Sequence, residues 1–282
     1  MLKFKKFKII SEEILGNTIN NFYTNVMLKK IFNSLKSIGF KRTIVKSIFK
    51  IKLKKLEKKL FKTKSVEERF NLIYSTNYWF DNESRSGTGS SLKSTENIRF
   101  HLPKIFQKFN IKKLFDAPCG DFNWIFHVLK SVEIDYLGSD IVKDLIVSNK
   151  KYENDKIKFS KLDIRVDKLP ASDLMICRDC LFHFSYEDIF LFLNNFLSSD
   201  IKYILLTSNL NTEHKFENKD IVTGDFREID LFSKPFNFEK NYIYNFEDRG
   251  IEIQHFKQMY LFSKLQIKKI LLNTTKAPKK LL

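Results

Sequence analysis

The chain has 282 residues, 43% hydrophobic and 15% aromatic, enough to bury a sizeable core in one large domain with an appendage or in two small ones. Its formal net charge of +17 is uneven: residues 1–64 carry 18 basic and 3 acidic side chains, while the remaining 218 carry 32 and 30. Three cysteines (Cys119, Cys177, Cys180) argue against a disulfide framework and for a cytoplasmic setting, no apolar run reaches the roughly 18–20 residues of a membrane span, and the basic start MLKFKKFKII lacks the apolar stretch of a signal peptide.

Residues 1–64 read as a basic, amphipathic helical extension, and residues 65–282 as the main domain. Within the extension, residues 26–40 and 44–61 place apolar side chains near helical spacing among lysines. They predict one or two solvated helices packed on the body. Basic amphipathic helices also adsorb to anionic membrane surfaces, and a lysine-rich arm binds RNA, so both partners stay open for residues 1–64. Residues 65–103 form a connection whose centre, NESRSGTGSSLKSTENIR, is a polar loop with two glycines. Ser94 or Thr95 then caps a helix through HLPKIFQKF.

From Lys112 strands and helices alternate. KKLFDA, IDYLGSD, KIKFSKLDI, ASDLMIC and KYILLTS read as strands. NWIFHVLKS, IVKDLIVSNKKY and SYEDIFLFLNNFLSS read as helices. That order predicts an α/β fold, a doubly wound, Rossmann-like and mostly parallel sheet covered on both faces. After an irregular stretch at 208–240, NYIYNFED and KQMYLFSK predict an antiparallel hairpin closing one edge.

Ligands of such sheets bind beyond the carboxyl ends of the strands, where strand order reverses. The first strand ends at Asp116 and turns through Pro118, Cys119 and Gly120. The second ends at Asp140, 20 residues after Gly120, where a carboxylate is positioned to accept from two ribose hydroxyls. The third ends at Asp163 and the fourth at Cys177, followed by RDCLFHF. A lone aspartate after a strand is usually a turn or helix cap; three around one crevice point to a ligand.

The run DAPCG, SDIV, LDI, ASDLMICRDCLFHF resembles the class I S-adenosylmethionine-dependent methyltransferases. It looks closest to a bacterial branch with a DAPCGDFNW loop, a CRDC-x-x-H segment and a TGD segment, and the likeness covers about residues 70–265. The resemblance implies S-adenosyl-L-methionine as cofactor and a seven-stranded sheet with an antiparallel last strand. It implies that Asp116, Ala117 and Gly120 surround the methionine part, that Asp140, with Ile141 beside it, holds the ribose, and that Asp163 and Ile164 face the adenine. The loop departs from the family pattern, with Pro118 and Phe122 where glycine is usual. Their bulk argues against a pyrophosphate cradle, and hence against a dinucleotide dehydrogenase on the same sheet.

Methyl transfer needs an aligned acceptor and, for a hydroxyl, a base. His183 and Asp179 follow the fourth strand and are the expected catalytic pair; the bland alternative is a histidine that packs behind the cofactor. Arg178 is grouped with the cofactor site, binding an anionic group or pairing with Asp179 or Asp121. Cys177-x-x-Cys180-x-x-His183 has metal-like spacing, but a cysteine closing a buried strand is usually apolar filler, so no metal is expected. The 77–91 loop is read as a lid, with Trp79, Glu83, Ser86 and Ser90 as contacts, or as a structural tie to the extension. Asp220, Thr223, Asp225 and Arg227 are expected at the acceptor, or in a loop packed under the hairpin. No Asn/Asp-Pro-Pro-Tyr/Phe segment or Pro-Cys nucleophile follows the fourth strand, which disfavours the common nucleic-acid classes. The expected function is methylation of a small-molecule or glycan-like acceptor on oxygen. The rivals are an RNA-modifying enzyme docking through residues 1–64 and a non-catalytic membrane-surface protein.

Overall fold

A computed structural model describes residues 54, 56–60, 62–63, 65–212, 215–248 and 256–275. The amphipathic stretch at 26–40 and most of that at 44–61 lie outside them.

Residues 54, 56–60 and 62 are helical, and a helix absent from the sequence reading follows them. Helix α1 (Val66–Ser75) starts at Ser65, whose side chain accepts from the Glu68 N–H at 3.3 Å, with Glu67 and Glu68 in the first turn. Acceptor and acids both suit the positive end of a helix. Helix α2 (Glu96–Lys108) follows, with Thr95 at its N-cap position. The Thr95 hydroxyl does not cap it; it donates backward to the Ser91 carbonyl at 2.8 Å.

The alternating region then builds β1 (Lys113–Asp116), α3 (Ile125–Leu129), β2 (Asp135–Asp140), α4 (Lys143–Asn149), β3 (Ile157–Lys161), β4 (Ser172–Cys177), α5 (Tyr186–Ser198) and β5 (Ile201–Asn209). The chain closes with β6 (Tyr244–Glu247), β7 (Lys257–Ser263) and α6 (Lys264–Thr275). The seven strands lie in the order β3-β2-β1-β4-β5-β7-β6. The pairs among β1 to β5 are parallel, and β7 runs antiparallel to both β5 and β6. This is the doubly wound, seven-stranded sheet with an antiparallel last strand expected above.

The central strands are apolar on both faces because both are covered. Phe115, Met175, Cys177, Ile204, Leu206 and Phe262 pack in the core that also holds Phe192 and Phe196 of α5 and Ile267 of α6. Their neighbours Leu114, Leu174, Ile176, Leu205 and Leu261 face the other way, onto Ile98 and Leu102 of α2, Ile125 of α3 and Leu145 of α4. The period of two along each strand divides one apolar run between two cores. Helix α6 was also missed, although Ile267, Ile270 and Leu271 are buried at helical spacing. Among the described residues no helix is long and apolar enough to cross a membrane.

Candidate active site

Strand order reverses between β1 and β4, and a cavity of about 120 Å³ opens there, beyond their carboxyl ends. Its walls include Asp116, Gly120, Asp140, Ile141, Asp163, Ile164, Arg178, Asp179, His183 and Trp79, so ten of the residues singled out above meet around one space. Ala117 is fully buried and is not among the lining residues.

The DAPCG turn is stitched to its neighbours. Ala117 N–H donates to the Ile176 carbonyl at 3.0 Å and Cys119 N–H to the Ser139 carbonyl at 2.8 Å. Gly120, at φ +56°, points its N–H at Asp140 Oδ2, 3.3 Å away, and its carbonyl accepts from Asn149 Nδ2 at 2.8 Å. Phe122 also adopts a left-handed conformation, φ +63°. Its ring turns away from the cavity, into a cluster with Phe126, Tyr136, Tyr152 and Phe159. The residue that seemed to obstruct the turn is therefore core, and of the two it is Pro118 that lines the cavity.

Asp140 Oδ1 also accepts from the Val142 N–H at 3.0 Å. Burial pushes its carboxyl up to about 6, against the pull of these backbone donors. Burial pushes Asp116 up to about 7, although the Tyr136 hydroxyl donates to it at 2.8 Å and Arg178 favours its charge. Asp163 lies two residues past the end of β3, not within the strand. Arg165 grips it with two hydrogen bonds, Nε–Oδ1 3.0 Å and Nη2–Oδ2 2.6 Å, and reaches Asp188 with Nη1 at 2.6 Å.

Beyond β4 the chemistry changes. Arg178 pairs with Asp248 through Nε (2.8 Å) and Nη2 (3.2 Å), and with Asp179 through Nη1 (3.2 Å). Asp121, offered as an alternative partner, is engaged elsewhere: it accepts from Ser84 Oγ at 3.0 Å and from the Arg85 N–H at 2.8 Å. Lys257 at the start of β7 pairs with Asp179 and lies 3.6 Å from Asp248. Two cations and two anions thus neutralise one another in the interior. Burial alone would raise Asp179, but Arg178 and Lys257 outweigh it and hold the carboxyl below its ordinary range.

His183 sits in a short turn, Leu181–His183, where its Nδ1 meets the Asp225 carbonyl at 2.7 Å and its ring stacks on Trp79 at 5.4 Å. A carbonyl only accepts, so Nδ1 carries the proton and the lone pair lies on Nε2. Burial lowers its pKa to about 4, so the ring is neutral at physiological pH.

The TGD segment lies behind this histidine, and none of its four predicted contacts lines the cavity. Gly224 N–H donates to the His183 carbonyl at 2.7 Å. Thr223 accepts from the Ser185 N–H at 2.8 Å, and Asp220 accepts from the Tyr186 N–H at 2.8 Å. Arg227 donates to the Leu181 carbonyl at 3.0 Å. Arg69 of α1 bonds the Thr223 carbonyl and fills the space where a Gly224 side chain would stand, its Cδ 2.5 Å from that Cβ position.

The 77–91 loop does cover the cavity, through Trp79, Arg85, Ser86 and Ser90. Glu83 is a tether: it accepts from Asn123 Nδ2 at 2.9 Å and from the Leu92 N–H at 2.6 Å. Helix α1 adds Val66, Phe70, Ile73 and Tyr74 to the walls. The Ser65-x-x-Glu68 capping box was the unread signal for that helix.

No family model matches the chain, and no curated protein matches it in sequence. Solved structures do align with it. An S-adenosylmethionine-dependent methyltransferase of Leishmania major is 14% identical, over 71% of this chain and 86% of its own, with a TM-score of 0.49. Magnesium protoporphyrin IX methyltransferase from Synechocystis, solved with bound S-adenosylhomocysteine, is 11% identical over 68% and 92%, with a TM-score of 0.47. The methyltransferase domain of citrinin polyketide synthase is 12% identical over 68% and 58%, with a TM-score of 0.48. At such identities and overlaps the likeness stops at the arrangement of sheet and helices.

Proposed function

We propose that the chain is a class I S-adenosylmethionine-dependent methyltransferase whose acceptor is a small or glycan-like molecule methylated on a hydroxyl. The observation that carries this is the pair of buried carboxylates, Asp116 and Asp140, in a cavity at the switch point of the sheet. Arg178, whose charge acts on Asp116, is already matched by Asp248 and Asp179. Such a cavity favours a cationic ligand and disfavours a pyrophosphate. The cofactor has an ammonium and a sulfonium against one carboxylate, so its net charge suits it. Its hydroxyls match Asp140, and its adenine matches the apolar stretch of Ile141, Val142, Leu145, Leu162 and Ile164. In this reading Asp116 and Gly120 hold the methionine part and Asp163 and Ile164 border the adenine.

The cofactor supplies an electrophilic methyl group when bound. The protein's part is to orient and to exclude water. Trp79 and the rim hydroxyls of Ser86 and Ser90 offer a flat apolar face with polar edges, a suitable bed for a sugar-like ring. The Nε2 lone pair of His183 would accept the hydrogen bond of the acceptor hydroxyl and take up its proton. Asp179, held ionised, favours the imidazolium that results.

Calorimetry tests this directly. S-adenosylmethionine and its demethylated product should bind the full chain with micromolar-range affinity. Absence of binding by both near 1 mM would refute the reading. A crystal with the demethylated cofactor would reveal which acceptor fits the space before its sulfur.

A further inference from the structure

Strand β2 carries Tyr136, Gly138 and Asp140 at alternating positions, so all three share one face. In the parallel register Tyr136 pairs with Leu114, and Gly138 pairs with Asp116. The glycine is a notch. A Cβ at Gly138 would stand 2.8 Å from the Tyr136 hydroxyl and 2.9 Å from the Phe159 ring. With no side chain there, the phenol leans along the strand and donates to Asp116 Oδ2 at 2.8 Å. Phe122 and Phe159 hold the ring, at 5.3 and 5.9 Å between centroids. Tyr136 and Asp116 are both almost completely buried. Tyr136 is not among the residues that line the cavity, whereas Asp116 is.

We propose that Tyr136 is a positioning residue for cofactor recognition: its hydroxyl fixes one oxygen of Asp116 and leaves the other to receive the cationic amino group of the ligand. The inference rests on the cofactor reading given above. It explains three features together. The aromatic cluster places Tyr136, the glycine clears its path, and Phe122 occupies a position where glycine would leave the phenol unsupported.

The charged and titratable groups that face Asp116 are Tyr136 and Asp140 from β2, Cys119 from the turn and Arg178 after β4. Of these, only Tyr136 donates a hydrogen bond to the carboxylate in the structure, and a donor to the charged form favours that form. Removing the hydroxyl therefore does two things. It frees the carboxylate to rotate, and it lets burial hold the proton to higher pH.

The experiment is calorimetry of S-adenosylhomocysteine with full-length wild type, Tyr136→Phe, Asp116→Asn and the double variant, at pH 7 and 8.5. Near-ultraviolet circular dichroism confirms folding. Tyr136→Phe should bind about 10-fold more weakly at pH 7, narrowing to about threefold at pH 8.5, because the pH at which affinity develops moves up by about one unit. In the Asp116→Asn background the same substitution should cost less than twofold, since Tyr136 then has no carboxylate to keep charged and aimed at the amino group. Equal binding by wild type and Tyr136→Phe at both pH values overturns the inference, as does an equal loss in the presence and absence of the Asp116 carboxylate. Wild type that binds nothing overturns the cofactor reading, and the inference with it.

Discussion

Replacing Asp121 by alanine should unlatch the cavity without dismantling it. Asp121 follows Gly120 directly, and its carboxylate receives Ser84 Oγ at 3.0 Å and the Arg85 N–H at 2.8 Å. Its own N–H donates to Ser86 Oγ at 3.0 Å, a bond the substitution keeps. Hydrogen bonds to a charged acceptor contribute roughly 1.5–3 kcal/mol each when buried. These are partly exposed and a third, from Ser86 Oγ at 3.4 Å, is long, so together they contribute about 2 kcal/mol. That corresponds to about a 30-fold rise in the open population of the 77–91 loop. Glu83 keeps its hold on Asn123 and Leu92, so the loop stays tethered. Dissociation of the demethylated cofactor should therefore quicken by about 10- to 30-fold, with association changed less than threefold. The assay is stopped-flow fluorescence. The chain has two tryptophans, Trp79 and Trp124, and both line the cavity, so the intrinsic signal reports on it. An unchanged dissociation rate, or an equal change in both rates, would refute the latch.

Asp140→Ala should weaken binding of the demethylated cofactor at least about 10-fold by calorimetry, because it removes a charged acceptor and unhooks the Gly120 and Val142 N–H groups. Asp116→Asn should act oppositely on ligand-free stability. A carboxyl raised from 3.8 to about 7 on folding stabilises fully only below its unfolded value and loses that contribution as pH rises through 7. Unfolding in urea should thus show little change near pH 4 and a gain of up to about 4 kcal/mol at pH 8; a loss at both would contradict it. Asp248→Ala leaves the buried Arg178 half matched and should cost about 3 kcal/mol in the same assay, with much of it restored when Arg178→Met is added.

The sheet was legible because its code is local. Apolar runs of strand length, helical spacing between them and an acid at each strand end are visible without any tertiary contact. The crevice followed from Asp116 and Asp140 for the same reason. What stayed hidden depended on distance in sequence. Lys257 and Asp248 are ordinary charges on an edge hairpin until they meet Arg178 and Asp179, 70 or more residues upstream. Tyr136 reads as strand filler until Gly138 clears its path. The TGD segment looked like a contact surface because polar residues in a loop usually are. In the chain most of its polar groups are engaged by the Leu181–Tyr186 backbone and by Arg69 instead of facing the cavity. Helix α1 is hard to see in the sequence because it is short and runs directly into the polar, glycine-bearing loop that follows residue 81.

The position of β7 governs the order in which this protein can become competent during synthesis. The wall made by residues 113–140 comes from consecutive elements and is synthesised well before β7, although β1 also pairs with β4. Arg178 then stands at the end of β4, in the interior, without its bidentate partner. Asp248 and Lys257 arrive only when the last hairpin inserts, with β7 between β5 and the edge strand. Until then the neutralised floor of the cavity does not exist. A nascent chain stalled before residue 257 would hold most of the sheet and most of the pocket without these two partners, and is expected to bind the demethylated cofactor more weakly than a chain that includes β7.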